Sequence, residues 1–303
     1  MRELRARTRA LAIDGPALGA LLLLSAIWGY NFVVMKEVLD YADPFYFTAA
    51  RTFIGALSLF IFALLTGKRL PIPHWKPMIL LGILQTAAFG ALIQWALVSG
   101  EAGRTVVVVY SMPFWLVALA ALFLGERIGA WAFAAVLGAA GGLVLIVQPW
   151  TDGTLARDGA LLAVLAGLIW AVAAAIARKM PRSTGASLLA LTAWQMLFGA
   201  FLLGALVLFL PTQPLMPAPY FWGALAYSSI LATGVAWFLW LFILERMSAG
   251  AAGLSTLLVP VVGIVASWLQ LGERPDMMTG LGMAIVLSAL ALLSFVNLRR
   301  RSK

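Results

Sequence analysis

The chain's 303 residues are 63% hydrophobic and 11% charged, with a mean hydropathy of +0.99; a soluble domain is about a quarter charged, so a water-soluble globule is excluded. With no cysteine and a single histidine, His74, disulfides, thiolate metal sites and multi-histidine metal sites are excluded too, and no metal or cofactor is expected. A net charge of +9 would suit nucleic acid only if it were gathered on one face; it is scattered over short connections, so no nucleic-acid partner is expected.

The N-terminus is basic, with Arg2, Arg5, Arg7 and Arg9 ahead of an apolar run at 17–34. A basic run before an apolar one resembles a secretory signal. This run is long for a signal core and nine more follow, so it is expected to stay as an uncleaved first span. A membrane-crossing helix needs roughly 20 mostly apolar residues. Reading from one charged or Pro/Gly-rich break to the next predicts ten spans, at 17–36, 44–66, 77–98, 103–124, 130–149, 158–177, 187–210, 219–243, 249–271 and 277–297.

Positive charge sets the expected orientation. With the N-terminus inside, sixteen of the 21 Lys and Arg residues fall in inner segments. Lys36, Arg104, Arg157 and Arg274 fall outside, and Arg51 lies within a span. Both termini are therefore expected in the cytoplasm, with the inner segments facing anionic lipid.

The sequence contains itself twice. Pro113 is followed by Gly125-Glu126-Arg127, and Pro260 by Gly272-Glu273-Arg274 at the same spacing. Ala102-Gly103 matches Ala249-Gly250, Thr48-Ala49-Ala50-Arg51 matches Thr192-Ala193-Trp194-Gln195, and Ile27-Trp28 matches Ile169-Trp170. Five spans per repeat is an odd number, so the two copies are expected to run oppositely through the membrane, as in many secondary transporters with a midplane substrate site. The expected organisation is a cytoplasmic segment 1–16, a first repeat 17–149, an inverted second repeat 158–297 and a basic tail 298–303. The expected fold is all-α, with ten transmembrane helices as two inverted five-helix repeats around a central cavity.

Trp28-Gly29-Tyr30-Asn31, followed by Asp43-Pro44 and Arg51, resembles the opening of an EamA domain, and the two Pro…Gly-Glu elements resemble its ends. The resemblance is to the drug/metabolite transporter superfamily and covers about 17–297. It implies a bacterial-type inner-membrane exporter of amino acids or related metabolites, similar to the aromatic amino-acid exporter branch. The second copy departs from the first where Ala171 replaces Gly29 and Gln195 replaces Arg51.

The candidate site follows from polar and aromatic residues inside spans. None of the twelve acids lies near a span centre, so no carboxylate-based proton site is expected. Arg51, about 10 Å into its span, is a candidate partner for a substrate carboxylate, against the alternative of a snorkelling arginine. Arg104 reads as an interfacial anchor, and Glu126 and Glu273 as carboxylates at helix N-termini. Gln85 and Gln94 lie in span three, Tyr110 and Ser111 just before Pro113, and Ser255 and Thr256 just before Pro260. Each proline frees a carbonyl one turn back, which could line a cavity as a helix break for gating. Trp28, Trp170, Trp194 and Trp237 lie inside spans, not in the usual interfacial belts, and with Asn31 and Gln195 complete the candidate substrate-binding set. Gly138 and Gly142 read as helix-contact positions. The leading function is carrier-type export by alternating access; other metabolites, an organic cation, or a passive channel remain open. The expected partners are a small-molecule substrate and the bilayer. An intramembrane enzyme lacks the required groups. The oligomeric state stays open, and a monomer fits the pattern.

Overall fold

The computed structural model describes residues 15–72, 74–124, 128–150, 155–179, 187–210, 213–246 and 257–301. These form helices and connections, without a strand among the described residues. Helix α1 is Gly15–Glu37, followed by a 3-10 turn at Val38–Asp40. Helix α2 is Pro44–Leu65, α3 Trp75–Ser99, and α4 two segments, Ala102–Val109 and Met112–Leu124. Then come α5 (Ala130–Val147), α6 (Leu155–Lys179) and α7 (Leu188–Phe209). Helix α8 runs through Pro219–Ala226, Tyr227–Val235 and Ala236–Arg246. Helices α9 (Leu258–Leu271) and α10 (Met277–Arg301) close the chain. Nine of the described helices are long and apolar enough to cross a bilayer; α9 is a shorter apolar helix. The protein is an all-α membrane protein of about ten helices.

Local chemistry sets the helix ends. Asp43 accepts from the N–H groups of Phe45 and Tyr46 at 2.9 and 3.1 Å, with Pro44 in the first turn, so α2 starts with its orphan donors satisfied. Gly272, at φ 68°, ends α9 in the left-handed region. Apolar side chains at helix flanks stay exposed, such as Leu65 at 82% and Phe209 at 85%, which only a hydrocarbon solvent tolerates at this density.

Packing joins the first five helices to the last five. Helix α5 lies on α10, α2 on α7, and α4 on α9. The remaining pairs correspond when each helix is exchanged for the one five further along: α1 on α9 with α6 on α4, α1 on α8 with α6 on α3, and α2 on α8 with α7 on α3. At the α5–α10 crossing a Cβ on Gly142 would stand 2.8 Å from the Gly282 carbonyl, and one on Gly282 would stand 2.7 Å from that of Gly142. Gly142 thus serves as the contact glycine its spacing suggests; at Gly138 the nearest atom would be Cβ of Ala289, at 3.8 Å.

Two stretches depart from regular helix. Gly82–Ala88 in α3 and Tyr227–Val235 in α8 are π-helical, at corresponding places in the two halves. Sequence periodicity carries no warning of either. Such turns are uncommon and recur at functional sites. In the second, the Thr233 hydroxyl donates to the Ser228 carbonyl at 3.0 Å, five residues back.

Candidate functional site

Helix α1 is stitched to the π segment of α8. Trp28 Nε1 donates to the Ala232 carbonyl at 3.0 Å, and its ring lies 6.2 Å from that of Trp240. Asn31 Oδ1 accepts from the Ser228 hydroxyl at 2.8 Å, while its Nδ2 donates to Met35 Sδ. The Tyr227 hydroxyl donates to the Ile27 carbonyl at 2.9 Å, and its ring meets Tyr30 edge-on at 5.6 Å. Ser229 Oγ is buried without a partner among the described residues. Trp28 and Asn31 therefore belong to one polar seam together with Tyr30, Tyr227 and Ser228. The last three are residues that sequence reasoning missed, although Tyr-Ser-Ser inside an apolar span was a usable signal.

Arg51 stands alone. It projects from α2 toward α3, where a Cβ on Gly90 would lie 3.9 Å from its Nη2 and 3.3 Å from Thr48. A Cβ at 90 would crowd Thr48 but would meet the guanidinium only in ordinary van der Waals contact. Arg51 has no hydrogen-bond or ion-pair partner among the described residues, and its Nε is buried. One turn along α3 from Gly90, Gln94 is fully buried; its Nε2 donates to the Met35 carbonyl at 2.8 Å and its Oε1 has no partner among the described residues. Gln85, in the first π segment, is half-buried and makes no hydrogen bond among the described residues.

The α4 break is centred on Tyr110 and Ser111. Pro113 stands in the first turn of the second segment, a position that proline tolerates. Ser111 Oγ accepts from Trp115 Nε1 at 3.1 Å. The Val109 carbonyl faces Gly167 of α6, whose Cβ would lie 3.2 Å away. The freed carbonyl thus packs against a helix, which differs from a carbonyl presented to a cavity. Trp170, three residues further on α6, is half-buried and makes no ring contact among the described residues; Trp28 meets Trp240 instead. Pro260 likewise lies in the first turn of α9. Ser255, Thr256 and Glu126 lie outside the described residues.

Trp194, Gln195 and Trp237 sit apart from these groups. Trp194 Nε1 donates to the Leu70 carbonyl in the loop after α2 at 3.3 Å, and its ring meets Phe60 edge-on at 5.0 Å. Trp237 packs on Leu59, Ala63, Leu189 and Ala193. Gln195 is buried where α7 crosses Gly82. Trp194 thus behaves as a loop-facing tryptophan, because its N–H finds a carbonyl only beyond the end of α2.

At the end holding Glu273, helix termini are tied by side chains from other helices. The Glu273 carboxylate accepts from the N–H groups of Ala102 and Gly103 at 2.8 and 3.0 Å, so it caps α4, a helix of the other half. Lys36 Nζ donates to the Leu97 carbonyl at 2.6 Å. Arg104 is buried and donates to the Ile146 carbonyl and to Thr279, which corrects its reading as an interfacial anchor: the end of α5 offers carbonyls that water cannot reach. Glu37 accepts from Tyr220 at 2.9 Å and from Gln270, which accepts in turn from Tyr30. Burial and the neighbouring Glu273 raise the Glu101 pKa, against the opposing pull of Arg104 and Lys36. Hydrogen bonds from Thr279 lower that of Asp276. At the opposite, Lys68 end, Lys68 and Arg246 lie over Phe62 and Phe242.

An all-helical membrane bundle whose halves correspond helix for helix, with an unpaired cation inside a span, is a small-molecule transporter by class. The chain belongs to the EamA-like transporter family, whose model matches it twice, at 16–148 and 157–295. It is 25% identical to a Bacillus subtilis protein described as "Uncharacterized transporter YoaV", over 93% of this chain and 97% of that one. It is 28% identical to a Salmonella typhimurium protein described as "Probable amino-acid metabolite efflux pump", over 89% and 91%. A solved crystal structure, 20% identical, shares the fold with a TM-score of 0.64 over 94% of this chain and 99% of that one.

Proposed function

We propose that this protein exports amino acids, aromatic or hydrophobic ones foremost, across a bacterial-type inner membrane by alternating access. The observation that carries the reading is Arg51. A guanidinium held inside a membrane span without an anion is costly, and the described acids all lie at helix ends. A substrate carboxylate supplies the missing partner through a bidentate, charge-assisted pair. Trp28, Asn31, Gln85, Tyr110 and Trp170 are the proposed lining of a central cavity between the halves. The name of the Salmonella relative favours the same class.

In this reading the halves 17–149 and 158–297 are inverted copies, and exchanging their conformations turns the carrier from one side to the other. The Lys68 end and both termini face the cytoplasm, by the distribution of Lys and Arg. In the same reading the side-chain ties at the Glu273 end close that side, and no intramembrane carboxylate takes part in coupling. Counterflow in proteoliposomes with radiolabelled amino acids, sugars and organic cations tests the proposal. Saturable, trans-stimulated amino-acid uptake that falls at least tenfold in Arg51→Gln supports it. No amino-acid uptake sinks the substrate class, and ohmic currents would replace the carrier with a channel.

A further inference from the structure

We infer that Gln94 is the second recognition arm of the Arg51 site, accepting a hydrogen bond from the substrate's α-ammonium group, so that the site selects zwitterions. The inference rests on the amino-acid reading above.

Three observations lead to it. First, Gln94 is 0% exposed and its Oε1 has no hydrogen-bond partner among the described residues. A buried acceptor left without a donor is destabilising, and an apolar side chain at 94 would avoid that cost. Second, the orientation of the amide is set by its partner. Nε2 points at the Met35 carbonyl at 2.8 Å, and a flipped amide would set oxygen against oxygen. Met35 is in the last turn of α1, where carbonyls lack intrahelical donors. The amide nitrogen therefore has a structural task, and the oxygen is left over.

Third, the left-over donor, on α2, packs against the helix that carries the left-over acceptor. Arg51 lies against Gly90, and Gln94 is the next turn on α3, about 6 Å further along its axis. An α-amino acid carries its carboxylate and its ammonium on one carbon. With a hydrogen bond of about 3 Å at each end, such a head group spans a guanidinium at Gly90 and an amide oxygen at Gln94. The chemistry is complementary: Arg offers only donors, while Gln94 Oε1 offers only an acceptor. The side chain of the substrate then projects away from α3 and leaves the head group as the common element of recognition.

The test is counterflow of radiolabelled phenylalanine in proteoliposomes with three unlabelled competitors. These are phenylalanine, 3-phenylpropionate, which lacks the ammonium, and phenylalaninamide, which lacks the carboxylate. Wild-type protein should prefer phenylalanine at least tenfold over either analogue. Gln94→Met should weaken phenylalanine competition at least tenfold and leave 3-phenylpropionate unchanged. Gln94→Glu, which keeps an acceptor, should retain phenylalanine and reject 3-phenylpropionate more strongly. Equal losses for both ligands in Gln94→Met, or no loss for either, would overturn the ammonium assignment while wild-type phenylalanine transport keeps the carrier reading intact. Absence of phenylalanine counterflow in the wild type would overturn the assignment together with the amino-acid reading.

Discussion

Removing the Glu273 carboxylate should loosen the end of the bundle where it ties α9 to α4. Its two oxygens accept from Ala102 and Gly103 at 2.8 and 3.0 Å, and they belong to the half that does not contain α4. Hydrogen bonds to a charged group contribute about 1.5–3 kcal/mol, part of which water restores once the end opens. A net loss of about 1.5–3 kcal/mol from the closed state changes the ratio of closed to open molecules by about 10- to 150-fold. The chain has no cysteine, so a single introduced thiol reports without background. Thr105 lies two residues beyond the cap and is 2% exposed; Thr105→Cys should react slowly with a water-soluble maleimide in otherwise wild-type protein. Combined with Glu273→Ala it should react at least five times faster, with Glu273→Gln intermediate. A control thiol from Met216→Cys, on an exposed loop residue, should not change. Unchanged labelling at position 105 in monodisperse Glu273→Ala protein would refute the idea that this contact holds the end shut.

Two further outcomes follow from packing and charge. Gly142→Val sets a side chain 2.8 Å from a backbone carbonyl and 2.9 Å from Val286; overpacking of this kind costs about 1–3 kcal/mol, so thermal unfolding in detergent should fall by several degrees, whereas Gly280→Ala, with nothing within 4 Å, should leave it in place. Glu101 has a raised pKa in the fold, so its ionisation opposes folding above the ordinary carboxylate range. Glu101→Gln should therefore raise the unfolding temperature at pH 7–8, with the gain disappearing as the pH falls below about 4 and Glu101 is neutral in both states. A gain that persists at low pH would point to packing as its source.

The ten apolar stretches were legible because a bilayer demands length and hydropathy from each helix on its own, and predicted and observed ends for α2 and α7 agree within a residue. What the one-dimensional pattern could not carry is the partner of each polar group. Arg104 sits at a helix start in sequence, yet it is buried because the end of α5 and Thr279 fold over it. Trp194 counts as an interior residue by position, yet its N–H reaches Leu70, 124 residues away in the chain. The π turns at 82–88 and 227–235 rotate everything beyond them relative to a regular wheel. Trp237 and Trp240 therefore face directions that a 3.6-residue period does not predict. Glu273 was readable as a cap, but not as a cap for the other half.

The exchange of caps between α1 and α3 bears on how the protein is made. Lys36 at the end of α1 serves a carbonyl at the end of α3, while Gln94 on α3 serves a carbonyl at the end of α1. Until α3 has entered the bilayer, the first helix carries an ammonium and open carbonyls with only lipid headgroups and water to satisfy them. The polar groups that α1 and α3 exchange are then satisfied only once the chain through Ser99 is in place, and a nascent chain arrested before that point should remain a client of membrane quality control.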